Sequence, residues 1–98
     1  MTLQEFADQF SNFIKNNGNN PQNWYTGIAS DIQTRLFEDH NVDKLMDVYF
    51  VDDAKTEENA RAVEKYLIDT FGTKGGTGGG DSTTTWVYTY KITQNTVE

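Results

Sequence analysis

Glu64 is a carboxylate in an apolar place. Ala60, Val63, Leu67, Ile68 and Phe71 recur at helical spacing, and Glu64 falls about 30° from the centre of that stripe at about 100° per residue. An unpaired carboxylate is expensive to bury, so it either snorkels out, pairs with a cation, or binds a metal. Its functional readings are metal ligand and general base. Arg35 is the second candidate. It lies about 60° around from Ile32 on a short helix, either exposed and paired with Asp31 four residues earlier or held ready for an anion. His40 is the lone histidine, placed at that helix's end, where a cation suits the helix dipole.

Three helices and three strands must position these groups. Thr2 and Glu5 form a capping box, and Leu3, Phe6, Ala7, Phe10, Phe13 and Ile14 follow on one face, which predicts a helix over residues 1–16. Gly18 and Pro21 end it. The run from Asn23 to Ala29 favours a strand, with Gly27 inside it marking a bulge or a close approach. Ser30, with Gln33 three residues on, predicts the cap of a second helix reaching about His40. Leu45 to Val51 is nearly continuously apolar and predicts a central strand. Thr56 caps a third helix with Glu57 and Glu58 in its first turn, and Gly72 stops it after Phe71.

Residues 72–84 form a Gly-rich loop, with six glycines in the nine positions 72–80, and predict a mobile segment. No Gly-Lys-Ser/Thr follows, so this is not a phosphate-binding P-loop. Trp86, Tyr88, Tyr90 and Ile92 alternate with Val87, Thr89 and Lys91, predicting a last strand from Thr85 to Thr93 and a frayed tail, Gln94 to Glu98. The order α-β-α-β-α-β in 98 residues implies one domain of α+β class: a small three-stranded, mostly antiparallel sheet flanked by three helices.

Composition narrows the partners. Fifteen acids against eight scattered bases leave a charge of −7, so DNA binding by this domain alone is expected to be weak, which leaves room for a protein partner. Without cysteine there is neither a disulfide framework nor a thiolate metal site. No apolar run approaches the ~20 residues of a membrane span, and Met1 to Ala7 carries no signal-peptide pattern, so a cytoplasmic location is the expectation.

Trp24-Tyr25-Thr26-Gly27-Ile28-Ala29-Ser30-Asp31-Ile32-Gln33-Thr34-Arg35-Leu36 resembles the second half of the GIY-YIG nuclease signature: an aromatic strand ending Tyr-x-Gly, a short cap, and a helix with arginine ten residues after the tyrosine. Ala60 to Ile68 is similar to the family's glutamate helix, so the resemblance spans about residues 23–71. It implies hydrolysis of a DNA phosphodiester. By that resemblance Tyr25 acts at the attacking water or as general base, Gly27 lets the strand approach the scissile phosphate, and Arg35 holds that phosphate. Glu64 then binds one divalent metal ion, Mg²⁺ or Mn²⁺. The alternative implied is a non-catalytic GIY-YIG-like module that binds protein or nucleic acid. The signature's Gly-Ile-Tyr strand has no counterpart ahead of Tyr25, because the stretch near Phe13 to Lys15 belongs to the first helix. Tyr88 or Tyr90 is the candidate to fill that tyrosine's space. One turn after the arginine, where the family often has histidine, stands Asp39, with His40 displaced by one.

Overall fold

The structure, a computed structural model, describes residues 1–76 and 82–98. Helix α1 (Leu3–Asn16) opens on the expected capping box. The Thr2 hydroxyl accepts the Glu5 amide, and the Glu5 carboxylate accepts the Thr2 amide, so two otherwise orphaned donors are satisfied reciprocally. Thr2→Ala is expected to lower stability by about 1 kcal/mol, read as a shift in urea midpoint at unchanged slope. Phe6, Ala7, Phe10 and Ile14 turn inward. Gly18 reverses the chain at φ +115°, and a short 3₁₀ turn (Pro21–Asn23) leads into the sheet.

Strands β1 (Trp24–Ala29), β2 (Tyr49–Asp53) and β3 (Trp86–Lys91) form an antiparallel sheet in the order β1-β3-β2. The last strand in the chain is therefore the central one. In its register Tyr90 faces Tyr25 and Tyr49, and Tyr88 faces Gly27 and Val51. Side chains alternate along a strand, so these residues share one face, while Thr26, Ile28, Phe50, Val87 and Thr89 share the other. The second face packs under α1 and the third helix in a core of Phe6, Phe10, Ile28, Val63, Leu67 and Val87. The tyrosine face packs under the second helix, against Leu36 and Val42.

The second helix, α2 (Gln33–Asp39), is π-helical. Its cap is not the expected Ser30 but Asp31, whose carboxylate accepts both the amide and the hydroxyl of Thr34. The third helix, α3, runs over Glu57–Lys65 and continues as π-helix through Tyr66–Phe71. Thr56 caps its start and Gly72, at φ +106°, its end, both as expected.

Two expectations are corrected. The strand expected at Leu45–Val51 begins only at Tyr49, and β2 is an edge strand, not the central one. Asp43 accepts the amides of Leu45 and Met46, and Asp47 accepts the Asp43 amide, so side chains compete locally for the backbone and hold a turn. Leu45 and Met46 consequently stand exposed. The glycine loop is partly tied down: Lys74 bridges to Tyr25, exchanging backbone bonds of 2.8 Å with Trp24 and Thr26. A buried hydroxyl chain, Thr73 to Thr26 to Thr89, anchors it from beneath. A side chain at Gly75 would collide with the Thr26 carbonyl and Ile68. The expected mobility of residues 77–81 lies outside the described residues.

Candidate functional site

Gly27 is what makes room for the site. A Cβ there would sit 2.6 Å from Cζ of Tyr88 and nearer still to its hydroxyl. The phenol of the central strand thus lies on the glycine of its neighbour. Tyr88 is almost fully buried, and burial raises its pKa well above the ordinary phenol value, with the Tyr25 hydroxyl adding to the effect. The Arg35 guanidinium lies against the same hydroxyl and favours its anion.

His40 reaches this hydroxyl because α2 is π-helical. The His40 amide bonds the carbonyl of Arg35, five residues back, at 3.0 Å. The π-turn closes its backbone bond onto the fifth residue, so His40 as well as Asp39 lies one turn past Arg35. Nε2 of His40 lies 2.6 Å from the Tyr88 hydroxyl, and Nδ1 lies 2.6 Å from the Val97 carbonyl. A carbonyl only accepts, so Nδ1 carries the proton and, in the neutral ring, Nε2 accepts from Tyr88. Burial lowers the His40 pKa below the ordinary value and the Val97 bond opposes it.

Tyr25 closes the cluster. Its ring lies 4.8 Å from that of His40 and stacks on Tyr90 at 5.4 Å. Tyr25 is half-buried; desolvation raises its pKa, the Glu64 charge raises it further, and Arg35 and the nearby Gly76 amide oppose them. Tyr90 donates to the Val97 carbonyl at 3.2 Å and supports the histidine from the side. Arg35 pairs with Asp39 at 3.3 Å, not with Asp31, and about half of its side chain is open to solvent. A solvent-exposed pair of this kind is weak and easily exchanged for a phosphate.

Glu64 is 3% exposed, and burial pushes its pKa up to about 7, with only Arg61 opposing. Arg61 itself pairs with Glu57 at 2.7 Å. The Glu64 carboxylate makes no hydrogen bond among the described residues. Its charge acts on both the Tyr25 and the Tyr88 hydroxyls. Arg35, His40, Tyr25 and Tyr88 thus gather on the tyrosine face with Tyr90 behind them, whereas Glu64 belongs to α3 on the other face and reaches the two hydroxyls only through its charge.

Glu64 would be the protein ligand of a divalent cation held here. Among the described residues no three of His, Cys, Asp or Glu gather as a metal cage. A lone, poorly neutralised carboxylate suits Mg²⁺, which keeps most of its waters and takes remaining ligands from a substrate phosphate.

Two participants were not legible in the sequence. The tail expected to fray instead docks: the Val97 amide bonds the His40 carbonyl at 2.8 Å, and Asn41 holds the Asn95 carbonyl at 2.9 Å. The Gly76 amide beside Tyr25 is the other. No protein-family model, curated protein or solved structure matches the chain.

Proposed function

We propose that this domain hydrolyses a DNA phosphodiester with the help of one divalent metal ion, in the manner of the GIY-YIG nucleases that residues 23–71 resemble. The observation that carries the reading is the seat of Tyr88 over Gly27 and across from the Tyr25 strand. On this reading Tyr88, from the far end of the chain, takes the part of the second tyrosine that the signature places ahead of Tyr25.

Each residue then has a chemical task. Tyr25, half open to solvent, orients the attacking water. Tyr88 takes the proton from that water as it gives its own to Nε2 of His40, so the hydroxyl ends neutral and the imidazole charged. Arg35 exchanges Asp39 for the phosphate and meets its developing charge with a planar fork of donors. Glu64 would hold Mg²⁺ or Mn²⁺, whose charge would stabilise the leaving 3′ oxygen. Because Glu64 is half-protonated near neutral pH, metal binding would release a proton.

With a net charge of −7, affinity for DNA is expected to come partly from a protein partner or a further segment. The same charge favours the second reading, a non-catalytic module that binds a protein. Among the described residues no helix is long and apolar enough to cross a membrane. The work proposed is intracellular, in the cytoplasm.

Plasmid nicking at low salt tests the assignment of Arg35. Arg35→Lys keeps the charge but loses the fork, and is expected to slow nicking roughly 100-fold. Equal rates for the two proteins would remove Arg35 from the reaction.

A further inference from the structure

The tail over residues 93–98 makes contacts that packing alone does not require. The Val97 carbonyl receives two donors at once, Nδ1 of His40 at 2.6 Å and the Tyr90 hydroxyl at 3.2 Å. The Val97 amide returns a bond to the His40 carbonyl at 2.8 Å, so ring and backbone of one residue are gripped by one peptide unit on each side. The Val97 side chain is exposed, so nothing apolar recommends the position. Asn41 fixes the Asn95 carbonyl, and Thr93 and Thr96 close a turn between their own backbone and hydroxyl groups, which sets the path of the strap.

A neutral imidazole carries its proton on either nitrogen, and the hydrogen bond at one nitrogen decides the role of the other. We infer that Val97 is a positioning residue: its carbonyl locks His40 with the proton on Nδ1, so that Nε2 is the bare acceptor facing Tyr88. With the opposite tautomer, Nε2 would donate to Tyr88, and the phenol could not pass a proton to it. The inference rests on the proposed hydrolytic reading for its purpose, but its geometry stands apart from it. The charged and titratable groups around the ring are Arg35 and Asp39 on α2, Tyr25 on β1, Tyr88 and Tyr90 on β3, and Glu98 on the tail. Among the described residues two groups lie within bonding distance of Nδ1: the Val97 carbonyl at 2.6 Å, which can only accept, and the Tyr90 hydroxyl at 3.1 Å, whose own proton goes to that carbonyl.

His40 is the single histidine, so ¹⁵N-histidine labelling of the full chain gives one pair of ring signals and needs no assignment. In the wild type at neutral pH the signals are expected to show Nδ1 protonated and Nε2 bare. Val97→Pro removes the amide bonded to His40 and shifts the strap, and is expected to convert the ring to the Nε2-protonated form that neutral imidazole prefers in water. Val97→Ala keeps the backbone and is expected to leave both signals where they are. Tyr88→Phe is expected to leave Nδ1 protonated, because the tail and not the phenol sets the tautomer. A wild type protonated on Nε2 overturns the inference, as does a Tyr88→Phe variant that switches tautomer or a folded Val97→Pro variant that does not.

Nicking by the same proteins separates this from the functional reading. Val97→Pro is expected to nick at least 10-fold more slowly than Val97→Ala and to lose a pH limb that reports the imidazole. If the ring signals behave as expected while no protein nicks, the strap stands and the hydrolytic reading falls.

Discussion

Glu64→Gln is expected to stabilise the domain by up to about 3 kcal/mol at about pH 8, and to change it little at about pH 4. The ordinary glutamate value is 4.5 and burial lifts Glu64 to about 7 in the fold. Between those values the folded state keeps a proton that the unfolded chain releases, so wild-type stability falls as pH rises through this window. Below it both states are protonated and the substitution is nearly silent. Above it both are ionised and the full penalty of the buried charge is present. A glutamine of the same shape removes that penalty. His40 acts in the opposite sense: its lowered pKa erodes stability as pH drops below the ordinary histidine value, equally in both proteins, so it cancels from their difference. Urea unfolding of the two proteins across pH reads the effect directly. A difference independent of pH would mean that the carboxylate is solvated in the fold. A side chain that weakens the fold at working pH is the kind of local inconsistency that function explains.

Gly27→Ala is the second large effect. One methyl group at this position must displace Tyr88, whose hydroxyl end is the atom struck. Tyr88 is 1% exposed, bonded to His40, and flanked by Gly27 and Val51 in the sheet, so it has nowhere to go without breaking its hydrogen bond. Overpacking of this kind typically costs about 1–3 kcal/mol, and the loss of a buried hydrogen bond adds to it. The expected outcome is a lower melting temperature together with a rise in the His40 pKa towards its ordinary value, because the ring gains solvent. Chemical denaturation and histidine titration check the two halves. A Gly27→Ala protein as stable as wild type, with an unshifted histidine, would show that Tyr88 is not seated as described.

Much of the frame was legible because local rules and global packing agree. Thr2 with Glu5, Thr56, and Gly72 marked helix ends that hold in the fold. The alternation of Trp86 to Lys91 marked β3, and the apolar stripe around Glu64 marked a carboxylate set against the core without deciding its burial. What failed did so for physical reasons. Leu45 and Met46 read as strand, but Asp43 and Asp47 captured their backbone in a turn. Strand order was invisible because β3 pairs with β1 residues from 57 to 67 positions away and with β2 residues from 33 to 41 positions away. The π-helical turn of α2, which ends at the residue that meets Tyr88, was equally invisible. Val97 gave no signal at all, since its part is played by its backbone.

Nicking of supercoiled plasmid by purified protein, at low salt and across metal ions, tests the central claim most directly. The account predicts nicking with Mg²⁺ or Mn²⁺, none with chelator, and loss of at least roughly 100-fold in Glu64→Ala while the variant remains folded. Wild type and Glu64→Ala that are equally inactive with every metal, without measurable DNA binding, would contradict it.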